Sequence, residues 1–405
     1  MELILQGALG LIAIACVFPL AVLIAEVIAA CCAGNYIGAP SSTAVPRLAV
    51  LVPAHNEEQG LPKTLIDILA GLLPGDRCLV VADNCKDGTA QAALAFPVEV
   101  LIRSNEVHRG KGFALQHGIA SLRAEPPDVV LVIDADCRVD PASLHILASV
   151  AAATSRPVQG GDVLYPPSES SVGDRVSAFA FLFKNHVRPL GLAQWGGPCL
   201  LFGTGMAFPW SVLADACLGT ADSVEDMQLA VQLALAGKPA LYVPTACVSG
   251  VLPSAATAAR SQRQRWEHGH VRTLLKYAPR LLWEGFRQRR LELVLLGADL
   301  AVPPLSMLAV LVVAAAIIET VAWFLTGVWL WCCVLAVGTI GATVAILFAW
   351  SRFGREFLSL KDLALIPLYI ARKLPIYLAL LWRPQKAWRE RPATPGLLET
   401  RDRQV

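Results

Sequence analysis

Three long apolar runs constrain this chain more than any other feature. Leu3 to Ala33 holds only Gln6 and Glu26 as strongly polar residues. Leu305 to Leu325 holds one acid, Glu319, and Val328 to Trp350 holds no charge. Each reaches the ~20 residues that a helix needs to cross a hydrocarbon core. Only 16% of all residues are charged, against about a quarter in ordinary soluble domains. The first run has no Lys or Arg ahead of it, the earliest being Arg47. It therefore lacks the basic start of a secretory signal and is expected to be an uncleaved span. Trp329, Trp331, Phe348 and Trp350 flank the last run, as interface aromatics do.

A fourth segment, Leu363 to Trp382, has Arg372 and Lys373 at its middle and is interrupted by Pro367 and Pro375. It reads as an interfacial or partly embedded helix, with a third C-terminal crossing as the alternative. Lys276, Arg280, Arg287, Arg289 and Arg290 precede the C-terminal spans, and Arg352, Arg355 and Lys361 follow them. The hairpin between the spans, 319–327, has no basic residue. The positive-inside tendency then puts the central region and the 351–362 loop in the cytoplasm. The tail, with Arg383, Lys386, Arg389 and Arg391, falls on the same side. The expected protein is a multi-pass inner (plasma) membrane protein with a cytoplasmic catalytic domain.

The expected layout follows: a span at 1–33, a Gly/Ser/Pro linker at 34–46, a folded domain at 47–270 and amphipathic interface helices at 271–300. Two spans occupy 301–350. Residues 351–405 hold a loop, the 363–382 helix and the basic tail. The net charge of +2 leaves no electrostatic footprint for a polyanion, so no nucleic-acid partner is expected. The eleven cysteines show no zinc-ligand spacing and read as small buried hydrophobes.

Within 47–270, short apolar runs alternate with segments of helical spacing. RLAVLVP, RCLVVAD, VEVLIR and DVVLVIDAD are candidate strands. GLPKTLIDILAGL, TAQAALAF and FALQHGIASLRA are candidate helices. Strands separated by helices of this length imply a mostly parallel sheet with right-handed crossovers. Near-continuous apolar strands suit a sheet covered on both faces. Ligands on such sheets bind at the carboxyl ends of the strands, which is where His55–Glu57, Asp83, Asp134 and Asp136 fall. Alternation in an extended chain would turn Asp134 and Asp136 to one side. Two such acids hold a divalent cation, act as acid and base, or cap a turn; the stretch alone leaves these open. Asn56 and Asp87 precede helical runs and read as helix caps.

The motifs VPAHNEE (52–58), VVADNCKDGT (80–89), RGKGFAL (109–115), DADC (134–137), VEDMQL (224–229) and QRQRW (262–266) occur in this order. From Arg47 to about Trp266 the chain resembles the family-two membrane glycosyltransferases. These include synthases of cellulose, hyaluronan and poly-N-acetylglucosamine and the ceramide glucosyltransferases. The resemblance implies a GT-A fold, a Rossmann-like mixed, mostly parallel α/β sheet, set between N- and C-terminal transmembrane helices. It implies Mg2+ or Mn2+ held by Asp136, with Asp134 facing both the ion and the ribose. Lys111 and Arg265 would meet donor phosphates. Asp83 would bind the base, expected to be uracil, with Glu57 and Pro53 of the first-strand motif at the nucleoside. Asp226 would be the catalytic base, and Glu225, Gln262 and Trp266 would face the acceptor. The loop FGTGMAF (202–208) resembles a family loop near the acceptor.

Each reading has a plainer competitor. Glu225 and Asp226 also suit the positive end of a helix. Trp266 also suits a membrane interface, and Gly110 and Gly112 a simple turn. The activity expected is inverting transfer from a UDP-sugar to a β-linked exopolysaccharide or cell-envelope glycan. Transfer of one sugar to a membrane lipid is the alternative. A non-catalytic nucleotide-sugar-binding membrane protein is a second, though it would lack the base or the metal pair, and this chain has both. The partners expected are the UDP-sugar, a glycan or lipid acceptor, membrane lipid, and a protein that exports the product.

Overall fold

A computed structural model describes residues 2–34, 45–214, 216, 218, 224–253 and 256–382. Most of the predicted 34–46 linker and the basic tail beyond 382 lie outside the described residues.

The sheet has eight strands: β1 Leu48–Ala54, β2 Arg77–Asp83, β3 Glu99–Arg103, β4 Val129–Val132, β5 Arg138–Val139, β6 Val158–Tyr165, β7 Met206–Pro209 and β8 Leu241–Val251. Their spatial order is β3-β2-β1-β4-β7-β6-β8-β5. The four strands located from sequence form the parallel half, with β1 between β2 and β4 (Val50 opposite both Cys78 and Leu131). β7 runs antiparallel to β4 and β6, β8 is parallel to β6, and β5 closes the far edge antiparallel to β8. The sheet is mixed and mostly parallel, as expected. Both faces are apolar because both are covered. Leu51, Leu79 and Val81 meet Leu115, Ile119 and Leu122 of the helix Lys111–Leu122. Val50, Val52 and Val80 share the opposite layer with Leu61, Leu65 and Ile68 of the helix Leu61–Gly71.

Two local expectations are corrected. β4 ends at Val132, so Asp134 and Asp136 belong to a turn and strand alternation does not orient them. Asn56 does not cap the following helix, whose N-cap is Gly60 with no side-chain bond. Asn56 adopts a left-handed φ of 55°, and its Oδ1 accepts from the Lys86 amide at 2.7 Å. Asp87 behaves nearer to expectation, its Oδ1 accepting from the Thr89 amide that opens the next helix.

Three helices are long and apolar enough to cross a membrane: Leu5–Cys32, Leu305–Thr326 and Leu330–Gly354. The first joins the folded domain through charge. Arg188 donates to Glu26 Oε2 at 2.6 Å and to Asp299 Oδ1 at 2.5 Å, with all three side chains buried. Beside it, Gly191 lies so close to the same helix that a Cβ there would sit 1.9 Å from the Glu26 carbonyl oxygen. One helix, Ala256–Gln288, runs through residue 270, where the sequence reading placed a domain boundary. The segment 363–382 holds the end of the short helix Leu360–Ala364 and the helix Ile366–Trp382.

Candidate active site

The carboxyl ends of β1, β2 and β4 bring the acidic motifs to one edge of the sheet. At the β1–β2 end, Asp83 is buried and accepts from Arg103 at 2.5 Å. His55 Nδ1 lies 2.7 Å from the Asp83 carbonyl oxygen. Pro53 is opposite Val81 on β2, and the Glu57 amide donates to Thr89 Oγ1 at 2.8 Å. None of these residues lines the cavity of about 460 Å³ that the other candidates share.

That cavity contains Lys111, Asp134, Asp136, Glu225, Asp226, Gln262, Arg265 and Trp266. Lys111 opens its helix after Gly110, whose φ of 123° is one that side chains rarely adopt. Its Nζ donates to Asp134 Oδ1 and, at 2.8 Å, to the carbonyl of Gly203. Gly203, in the FGTGMAF loop, has φ 95°, and a Cβ there would lie 3.3 Å from both Asp226 Oδ2 and Lys111 Nζ. The backbone thus approaches the charged centre where only glycine leaves room. Glu225 and Asp226 form the first turn of the helix Glu225–Leu235. Asp226 Oδ1 accepts from the Met227 amide at 2.7 Å. The helix-opening role and a place in the cavity coexist.

Burial governs the ionisation of this centre. It pushes the Glu225 carboxyl up to about 7, with Asp226 adding to the rise and Lys111 opposing it. Burial also raises Asp226, which Lys184, the Met227 amide and Lys111 hold back. Burial alone would lower Lys111, but Asp134 and Glu225 outweigh it and keep the ammonium above its ordinary value.

Sequence reasoning missed a second layer. Asp162 on β6 lines the cavity, and burial, then Asp134, pushes its carboxyl up to about 8. It accepts from Asn185 Nδ2 at 3.1 Å. Asn185 and Lys184 sit on a π-helical turn, Phe183–Val187, a distortion often found at functional sites. Widening the turn brings Lys184, Asn185 and, just beyond, Arg188 to the cavity wall. The only available signal was a cluster of charge and amide in the otherwise apolar run AFAFLFKNHV.

Trp266, also in the lining, packs against Phe181 with ring centroids 5.3 Å apart. Gln262 and Arg265 belong to the same helix. Among the described residues no group of three His, Cys, Asp or Glu side chains forms a ready-made metal cage. Asp134 and Asp136 are nonetheless the donor set that Mg2+ or Mn2+ uses, since these ions take one or two carboxylates and complete their shell with phosphate and water.

The sequence profile described as "Glycosyltransferase like family 2" matches residues 46–269. A probable glycosyltransferase of Bacillus subtilis, YdaM, is 24% identical over 263 residues, covering 62% of this chain and 60% of that protein. A poly-beta-1,6-N-acetyl-D-glucosamine synthase of Staphylococcus epidermidis is 25% identical over 260 residues, covering 62% and 60%. The alignments span 30%, 60% and 58% of the lengths of the first curated relatives. Among solved structures, the mannosyltransferase PcManGT of Pyrobaculum calidifontis, in complex with GDP-Man and Mn2+, superposes with a TM-score of 0.50 at 20% identity. The match covers 84% of this chain and 99% of that one. The mixed sheet is thus shared with a GT-A neighbour. With the profile match extending over more than half of its length, the chain belongs to the glycosyltransferase like family 2.

Proposed function

We propose that this chain is an inverting, Mg2+- or Mn2+-dependent glycosyltransferase that moves a sugar from a UDP-sugar to an acceptor hydroxyl at the membrane surface. One observation carries the reading: Lys111, Asp134 and the Asp226 carboxylate meet around Gly203 inside one cavity. A transferase must offset charge on a departing diphosphate and remove a proton from an alcohol. This centre holds a cation and a carboxylate within reach of the same glycine.

In the proposed reaction the acceptor oxygen attacks the anomeric carbon, and the bond from that carbon to the diphosphate oxygen breaks. The hydroxyl proton passes to the Asp226 carboxylate, and UDP leaves with the bonding electrons. A single displacement inverts the anomeric carbon. Lys111 and Arg265 would meet the diphosphate, and a divalent cation on Asp136 and Asp134 would neutralise its growing charge. Asp83, Glu57 and Pro53 would hold the uridine from the adjoining sheet edge. Gln262, Trp266 and Glu225 would orient the acceptor.

The similarity to a poly-N-acetylglucosamine synthase supports a β-linked glycan as acceptor, with export by a partner. Transfer to a membrane lipid is a second reading. The cavity favours it by continuing to Leu305 and Ala309 of one candidate span and Ile346 of another. The expected domain layout, with the catalytic domain on the cytoplasmic face, is proposed on the same basis.

The test uses the full chain in lipid nanodiscs, a panel of UDP-sugars and UDP release as the readout. Asp226→Asn should retain donor binding and lose about 10²–10⁴-fold in turnover, the usual contribution of a positioned base. Near-normal turnover would remove Asp226 from the reaction.

A further inference from the structure

Gln159 lies on β6, fully buried, opposite Met206 of β7. Backbone pairing sets the register of these strands, and an apolar side chain would serve the sheet at this position. The amide is directed at a loop instead. Its Oε1 accepts from the Phe202 amide at 2.9 Å. Its Nε2 donates to the Thr204 carbonyl at 2.9 Å, with the Gly160 carbonyl at 2.9 Å and the Gly205 carbonyl at 3.4 Å beside it. One planar side chain thus supplies both a donor and an acceptor to the loop 202–205. That loop has no helix or strand of its own, and Gly203 and Gly205 stand in it at φ 95° and 65°. Its backbone groups need outside partners, and Gln159 reaches those on both sides of Gly203.

The loop in turn holds the charged centre. The Gly203 carbonyl accepts from Lys111 Nζ at 2.8 Å, and Asp134 Oδ1 accepts from the same ammonium. The Thr204 hydroxyl, one residue on, accepts from the Asp134 amide at 3.1 Å. A Cβ on Gly203 would lie 3.3 Å from Asp226 Oδ2. Lysine is a compact charge on a flexible four-carbon stem, so its ammonium sits where its acceptors hold it. With the Gly203 carbonyl turned aside, only the acids that already act on Lys111 would direct it: Asp134, Glu225 and Asp226.

Resting on the proposed contact of Lys111 with the donor diphosphate, we infer that Gln159 is a positioning residue for that lysine. It does not itself line the cavity. It fixes the Phe202 amide and the Thr204 carbonyl, so that the Gly203 carbonyl between them aims the Lys111 ammonium at the diphosphate.

The experiment measures binding of radiolabelled UDP, with MnCl2 present, to the full chain in lipid nanodiscs by equilibrium dialysis. Gln159→Met removes both the donor and the acceptor at similar length. It should weaken UDP binding about five- to tenfold, the worth of one hydrogen bond. Lys111→Met should weaken it at least as much. The double variant should bind like Lys111→Met alone, because a residue that acts only through Lys111 then has nothing left to position. A merely structural glutamine would weaken binding alike in both backgrounds. Gln159→Glu keeps the shape and the acceptor but loses the amide donor, so it runs the same cycle if Gln159→Met misfolds. Unchanged binding in the Gln159 variant overturns the inference and leaves the transferase reading in place. A double variant weakened by the product of the two single effects does the same. A parent chain that binds no UDP overturns the donor reading, and this inference with it.

Discussion

Lys184 is the residue that most alters how the proposed base should behave. It lines the cavity with Asp226 and is the largest charge interaction opposing the burial that raises the Asp226 pKa. A base works as its carboxylate. With Asp226 raised, the rate should fall as pH drops through a value above the ordinary carboxylate range. Lys184→Met removes part of the opposition, so the acidic limb of the kcat–pH profile should move to higher pH. Lys184→Arg should restore it. A limb that stays in place in Lys184→Met would separate this lysine from the base. Sequence reading singled out Asp134, Asp136, Lys111 and Asp226, which line this cavity, because each sits in a recognisable motif. It missed Lys184 and Asp162 because one cation in an apolar helix, or one acid after two glycines, looks like any half-exposed residue. Only the π-turn and the sheet register bring them to the cavity.

The same contrast holds for whole elements. The parallel strands were legible since uninterrupted apolar runs bounded by turn residues leave few alternatives. β6 and β8 were not, because the pairing between them is broken by an irregularity at Gly160/Gly161. β7 has four residues, too short for a periodic signal. The Arg188 link to Glu26 and Asp299 could have been suspected, since an acid inside an apolar run usually has a named partner. It ties three separate helices together around one guanidinium. Arg188→Met would leave two buried acids without their cation, and breaking a buried pair in this way costs about 3–5 kcal/mol. A large drop in melting temperature in detergent is expected, alongside a milder loss for Glu26→Gln, which leaves the Asp299 pair. Equal melting curves for Arg188→Met and the parent would show that the link carries no stability. Gly191→Ala should also destabilise, because its methyl group would collide with backbone of the N-terminal helix and backbone cannot move aside as a side chain does.

At the scale of the molecule, the site and the bilayer are joined by one short segment. Lys373, near the middle of the helix Ile366–Trp382, bonds to Ser306, the second residue of the helix Leu305–Thr326. Tyr377 joins the same serine at 2.5 Å. That span has 22 residues, or ~33 Å at 1.5 Å per residue, enough to cross the hydrocarbon core. As a span, its first turn would lie at one face of the membrane. A helix held at that turn by its middle is expected to lie along the face and not to begin a further crossing, with its lysine paired to Glu267. The same helix lines the cavity with Tyr369, Ile370 and Lys373. The orientation proposed from the basic residues then becomes a labelling pattern. In a cysteine-free background, Thr326→Cys should react with an impermeant maleimide added outside intact cells. Leu360→Cys and Leu374→Cys should react only after permeabilisation. External labelling of Leu374→Cys alone would turn the last helix into a span, and external labelling of Leu360→Cys would invert the proposed topology.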